Sequence, residues 1–324
     1  MKFLEFDDIR KKNSAFLNLN WVRFNEDYYN LKSEEIDLEY KGARLVGRLY
    51  KNKRGKYCLP MMDRYLALRF IPTSTSKEYR FYNQQLELMA ELAKCIIKTG
   101  YEGELVLPPG FVDARSFSWE GNRVTLNYTF LGELPLKEES IDSSVKKYIK
   151  KAEKLGYSVK STTDWEKVVY CYNKTREYKK LGKYVTVDWL ECLQRYSGNQ
   201  SFINAYLAET QDGEPVCAQI KMFEENGICL DLVAGTDREH IANGVNQLTY
   251  YKTIEELSKR GGAYFDYCGA NDYNVSQAKS HWGMELVPCI AISKGSKFER
   301  VKVAVKNNEI LAGTYRKVKV QIKR

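Results

Sequence analysis

The stretch GGAYFDYCGANDYNVSQAKSHWGMELVP, residues 261–288, constrains this chain most. Gly261-Gly262 ends the helical pattern before it. Residues 263–268 are aromatic and bounded by turn chemistry, which predicts a short buried strand. Side chains alternate along a strand, so Phe265 and Tyr267 share one face and Asp266 takes the other. Gly269-Ala270-Asn271-Asp272 has the composition of a turn. Residues 274–282 then read as a helix closed by Gly283. Asp266, Asn271, Lys279 and His281 are thereby polar groups crowded near one strand end, where α/β folds commonly build sites. The other reading is that Asp266 and Asn271 cap and shape the turn.

At 324 residues the chain is long enough for one large domain or two ordinary ones, and 44% hydrophobic residues suffice for a core. Only His240 and His281 are histidines, which argues against a multi-histidine metal site. The eight cysteines form no CxxC pair, so neither a zinc knuckle nor a thioredoxin motif is present. Several stand in apolar stretches, as reduced buried thiols do. The N-terminus has no apolar core for a signal peptide, and no run approaches the roughly 18 residues of a membrane span. These features predict a soluble, reduced, cytoplasmic protein without a metal.

Of the net charge of +9, residues 294–324 supply +8, from ten Lys/Arg against two Asp/Glu. Within that tail, residues 317–323 alternate as an edge strand with lysines outward would. The alternative is that the basic tail holds RNA.

Along the chain, a polar helical opening carries Trp21-Val22-Arg23-Phe24. Residues 43–50 and 57–62 read as a hairpin, followed by a strand over 64–71. Thr75 or Ser76 can cap a helix to about Lys98, with Tyr82, Leu86, Met89, Leu92, Ala93 and Ile96 on one face. Residues 105–107 are a short strand, and 115–119 with 124–131 read as a second hairpin. A polar break at 132–144 precedes a helix over 145–155. Its apolar stripe is Val145, Ile149, Ala152 and Leu155, and Asp142, Ser143 or Ser144 can cap it. Lys147, Lys150, Lys151 and Lys154 occupy its other face, as a solvated surface or a phosphate-binding one. Thr163 and Glu166 fit a capping box. A helix over 186–196 leads to a three-strand meander over 202–234, with a strong hairpin signal at Asn226-Gly227. Residues 238–243 read as loop, and Gly244 opens a helix to about Lys259.

This order, meander, loop, helix, strand, helix, resembles the C-terminal part of GNAT-type N-acyltransferases. VKKYIKKAEKLGYSV (145–159) and GGAYFDYCGANDYNVSQAKSHWG (261–283) resemble two signatures of the FemAB-like branch. Those are an (R/K)KAxKxG helix, and an F-D-x-x-G block followed by F-K-x-x-F/W-G. Residues 108–130 resemble the end of that branch's first half. The likeness covers most of residues 40–290. It implies an α/β (α+β) fold of two tandem GNAT-like halves, 1–140 and 141–324, each a mixed, mostly antiparallel sheet flanked by helices. It also implies transfer of an acyl or aminoacyl group to an amine.

Lys279 matches the lysine of the F-K pair, although the preceding residue is Ala278 rather than Phe. A fixed cation there would stabilise the tetrahedral oxyanion. Asp266 is the candidate base or acceptor-orienting group, and Asn271 an orienting one. The usual Q/R-x-x-G-x-G/A pyrophosphate loop is not intact, only Gly244 remaining of it. Arg238, Gly244 and Asn246 are the residues that would hold donor phosphate at a helix start. Acyl-CoA is the first donor reading, with an amine of a sugar, nucleotide-linked or cell-envelope precursor as acceptor. Aminoacyl-tRNA, as in FemX-like enzymes, is the second, and a non-catalytic binding protein the third.

Overall fold

The computed structural model describes residues 6–9, 11–75, 77–197 and 202–296. The proposed edge strand at 317–323 lies outside them. Two mostly antiparallel sheets are flanked by helices, as the fold class requires.

Helices α1 (Phe6–Ile9) and α2 (Leu19–Tyr28) open the chain. Strands β1 (Lys32–Tyr40) and β2 (Ala43–Lys51) form a hairpin across Lys41-Gly42, both with positive φ. Mostly unburied, β1 turns Ile36, Leu38 and Tyr40 to one side and Asp37 and Glu39 to the other, a period-2 pattern in its second half. β3 (Tyr57–Cys58) and β4 (Ala67–Ile71) also pair with β2, so the predicted 43–62 hairpin exists but is short. Helix α3 (Glu78–Thr99) covers this sheet with Phe81, Leu88, Met89, Leu92, Ala93 and Ile96. Tyr82 shares the face of Met89 and Ala93 but stands near the start of the helix and is exposed. The helix begins after Lys77 without a side-chain cap, so Thr75 does not cap it, and Ser76 lies outside the described residues.

After β5 (Leu105–Val106) the predicted second hairpin does not form. Residues Arg115–Trp119 are helix α4, which buries Phe117 and donates from Ser116 Oγ to Met89 O on α3. The long strand β6 (Arg123–Glu133) finds its partners far away in sequence.

Helix α5 (Ser143–Lys154) is capped by Asp142 and buries Val145, Ile149 and Ala152. Leu155 is exposed past its end. β7 (Ser158–Thr162), α6 (Trp165–Tyr178) and α7 (Val187–Ser197) follow. The capping box at Thr163 and Glu166 is not used. Asp164, one residue closer to α6, accepts from Lys167 N instead. The meander is β8 (Ile203–Glu209), β9 (Pro215–Met222) and β10 (Ile228–Thr236), with Asn226 at φ 53° in the turn. A short helix, α8 (Arg238–Ile241), stands where loop was expected, started by Asp237. α9 (Val245–Lys259), β11 (Tyr264–Asp266), α10 (Tyr273–Ser280) and β12 (Glu285–Ser293) complete the described chain.

The larger sheet runs β5-β12-β6-β11-β10-β9-β8-β7. Strands from both sides of the proposed 140/141 division therefore share it. Among its described strands only β10 and β11 pair in parallel. Their pairing stops at Leu230 and Asp266 while β10 continues to Thr236, so the two strands part there. Both faces of the centre are covered. Leu131 and Tyr264 join one apolar cluster, and Phe130 and Phe265 another beneath α5 and α9. Among the described residues no helix is long and apolar enough to cross a membrane.

Candidate functional site

A cavity of about 460 Å³ lies on the face that carries Asp266, just past the end of β11. Its wall comes from the 59–65 segment before β4, Glu104 and Val106 at β5, the middle of β6, the turn and helix over 268–279, and Cys289 on β12.

The turn is built by a chain of hydrogen bonds. Asp266 is fully buried, and its Oδ1 accepts from Thr129 Oγ1 at 2.5 Å and from Cys268 N at 2.6 Å. Thr129 Oγ1 in turn accepts from Gly269 N. Cys268 takes φ 54°, a left-handed conformation uncommon for a residue with a side chain, which reverses the chain at the strand end. Asn271 Oδ1 accepts from Tyr128 N at 2.8 Å, tying the turn to β6 where β11 has stopped. Asp272 then caps α10 by accepting from Val275 N.

Lys279 reaches back from α10. Its Nζ donates to Tyr267 O at 2.7 Å and Gly269 O at 2.8 Å, and it lines the cavity. Burial pulls its pKa below the ordinary lysine range, and the carboxylates of Asp231 and Asp266 offset only part of that.

The structure thus brings Asn271 and Lys279 to one cavity. Asp266 stands behind its wall, holding Thr129 and Cys268 in place rather than lining it. Its Oδ2 has no hydrogen-bond partner, and burial raises its pKa. His281 is turned elsewhere, with Nδ1 3.6 Å from Asp142 Oδ1 at the start of α5.

Arg238, Gly244 and Asn246 follow the C-terminal end of β10, beyond the point where it parts from β11. The Arg238 guanidinium stacks 4.2 Å from the Tyr178 ring centroid. Gly244 has φ 83°, and a Cβ there would lie 2.2 Å from Tyr148 O on α5. Asn246 points inward, its Oδ1 within reach of Gln219 Nε2 and Thr236 Oγ1. Among the described residues no cluster of three His, Cys, Asp or Glu could hold a metal.

Sequence reasoning missed the contribution of the first half: Asp63, Arg64, Glu104 and Thr129. It also missed a buried triad on the opposite face, Lys221, Asp231 and Tyr250. A lysine and an aspartate facing each other in two otherwise apolar strands were the available signal.

Asp266 gives a test of its supporting role. A carboxyl whose folded pKa is raised is protonated more readily in the folded than in the unfolded state. Its contribution to stability therefore falls as pH rises from about 3.9 through the raised value, then levels. Asp266→Asn removes this penalty and keeps an oxygen for Thr129 and Cys268. The variant is expected to melt at or above the wild-type temperature at neutral pH, with the gain vanishing in acid. A large fall in melting temperature at pH 7 would show that the charged carboxylate stabilises the turn.

The larger set of solved structures shows the same fold. FemX superposes with a TM-score of 0.60 at 13% identity, over 90% of this chain and 96% of that one. The C-terminal domain of a putative lysylphosphatidylglycerol synthetase from Agrobacterium fabrum gives 0.53 at 10%, over 92% of each chain. L-PGS from Bacillus licheniformis gives 0.50 at 10%, over 83% and 87%. No family model and no curated protein matches the sequence. The fold is thus of the FemAB-like, GNAT-related kind that the two motifs imply.

Proposed function

We propose that this protein transfers an acyl or aminoacyl group to an amine in the cavity beside Lys279. The observation that carries the reading is Lys279 itself. It is the lysine of the FemX-like motif, and two backbone carbonyls fix its ammonium in the cavity wall. The acceptor nitrogen attacks the carbonyl carbon of an activated ester, the tetrahedral oxyanion accepts from Lys279, and the leaving oxygen departs with the proton. A preorganised donor at that oxyanion lowers the barrier without prior reorganisation.

For the donor, the geometry favours aminoacyl-tRNA over acyl-CoA. The three groups expected to hold pyrophosphate already have protein partners: Arg238 on Tyr178, Asn246 against β9 and β10, and Gly244 against Tyr148. Beside them, Lys147, Lys150 and Lys154 stand exposed on α5, and Lys151 donates to Ala242 O. That face suits a polyphosphate backbone. Acyl-CoA is kept as the second reading because a helix start such as that of α9 can bind pyrophosphate without the full loop. The acceptor class is an amine of a sugar or cell-envelope precursor. A protein that binds such molecules without chemistry is the third reading.

Titration calorimetry with acetyl-CoA, a long-chain acyl-CoA and aminoacyl-tRNA tests the donor. We expect tRNA binding that weakens steeply between 50 and 200 mM salt, on the order of 10³-fold if six phosphates are engaged, and no comparable CoA binding. Tight acyl-CoA binding with salt-insensitive or absent tRNA binding would reverse the order.

A further inference from the structure

Lys279 is held in the cavity wall by a turn rather than by its own helix. α10 buries none of its residues, so packing does not fix the lysine's place. What fixes it is the pair of carbonyls at Tyr267 and Gly269, 2.7 and 2.8 Å from Nζ. The direction of those carbonyls sets where the ammonium stands.

A peptide unit is planar and trans, so its N–H and its C=O point in opposite directions. Anchoring the N–H therefore aims the carbonyl. The Tyr267 carbonyl shares its peptide with the Cys268 N–H, which donates to Asp266 Oδ1 at 2.6 Å. The Gly269 carbonyl shares its peptide with the Ala270 N–H, which donates to Tyr128 O on β6 at 2.7 Å. The peptide between them donates from Gly269 N to Thr129 Oγ1 at 3.0 Å. Three consecutive N–H groups thus turn toward Asp266 and β6, and two carbonyls take Lys279. The backbone needs this anchoring. Cys268 at φ 54° and Gly269 at φ 123° are consecutive residues in conformations that side chains disfavour.

Thr129 is the junction of this network. It is 3% exposed, and its one hydroxyl donates to Asp266 Oδ1 and accepts from Gly269 N. It thereby holds the carboxylate that anchors one peptide and the N–H of the next. Serine can make both bonds, and valine, of the same shape, neither.

We propose that Thr129 is a positioning residue for Lys279, acting from β6 through Asp266 and the 267–270 peptides that aim the two carbonyls. The inference deepens the transferase reading and rests on it only for what the ammonium does to substrate.

The first measurements need no substrate. In the full chain carrying nitrogen-15 glycine and lysine, the Gly269 amide should exchange with water as slowly as paired amides of β6. Exchange at the rate of an unpaired amide would overturn the proposal without any variant. The Lys279 ammonium, assigned by the signal lost in Lys279→Ala, is followed in mildly acidic buffer. Its hydrogens should exchange about 10-fold faster in Thr129→Val, the effect of losing a hydrogen bond from a buried group, and at the wild-type rate in Thr129→Ser. Gly269→Ala tests the same peptides from the backbone. A Cβ there meets no atom within 4 Å, but φ 123° disfavours alanine, so the peptides must turn and the ammonium exchange should again quicken.

In a transfer assay Thr129→Val should lower turnover by about 10- to 100-fold, the scale of a misplaced catalytic group. KM should change little, and Thr129→Ser should restore the rate. A merely structural role would lower the melting temperature and leave the ammonium exchange of the folded variant as in wild type. Wild-type ammonium exchange in folded Thr129→Val, or Thr129→Ser behaving as Thr129→Val does, would overturn the proposal. Should Thr129→Val fail to fold, the Gly269 amide and Gly269→Ala decide. A wild-type protein that transfers nothing while the exchange pattern holds would overturn the transferase reading alone.

Discussion

Lys279→Ala is expected to lower turnover by about 10²–10³, as removal of one oxyanion donor does elsewhere. Two of the three ammonium N–H groups are committed to Tyr267 O and Gly269 O, leaving one for the cavity. The oxyanion exists only in the transition state, so acceptor affinity should change much less than turnover. Lys279→Arg should rescue poorly, because a planar fork cannot satisfy both carbonyls and still present a compact charge at the same point. Full activity in Lys279→Ala, measured with a donor and acceptor that turn over, would remove this residue from the mechanism.

The pH dependence sharpens that test. Lys279 must be charged to act, and burial lowers its pKa, with Arg64 adding to the effect. Turnover should therefore fall on the alkaline side before an ordinary lysine would titrate. Stability has the opposite sign. Between the lowered folded pKa and about 10.4 the unfolded chain holds more protons than the folded one, so stability from this group rises with pH. An alkaline loss of rate that tracked a loss of folding would not be the titration of Lys279.

The helices and the meander were legible because their signals are local. Val145, Ile149 and Ala152, or Phe265 and Tyr267 against Asp266, follow directly from helical and strand periods. Errors came where a tertiary partner decided. RSFSW has strand-like residues, yet Ser116 and Phe117 dock on α3 and the segment becomes α4. The contacts of Arg238 with the Tyr178 ring and of Asn246 with β9 were likewise not legible in sequence. Half of the cavity was invisible for the same reason. Asp63 and Thr129 meet the 268–279 turn only because β6 inserts beside β11 and the 59–65 segment lies across its end. No spacing within one segment encodes such a meeting.

The other large effect is expected beneath the sheet. Lys221 and Asp231 face each other across β9 and β10, with Nζ 2.6 Å from Oδ1 and the lysine side chain wholly buried. Tyr250 donates to Asp231 Oδ2 at 2.6 Å, and the ammonium lies 4.1 Å from the Tyr250 ring centroid. The pair sits at the bulge between Asp231 and Val233, beside the place where β10 and β11 part. Asp231→Ala would leave that ammonium without a counter-charge and the Tyr250 hydroxyl without an acceptor. A loss of about 3–5 kcal/mol is expected, the cost of breaking a buried pair on one side. Denaturant unfolding measures it. Replacing the lysine as well, Lys221→Met in the Asp231→Ala background, removes the stranded charge and fills the space with an adaptable apolar chain. Much of the lost stability should return, because a buried ion pair adds little over well-packed apolar residues even though half of one is costly. A loss under about 1 kcal/mol for Asp231→Ala, within the range of ordinary surface changes, would mean that water reaches Lys221 and that the sheet is open at the bulge.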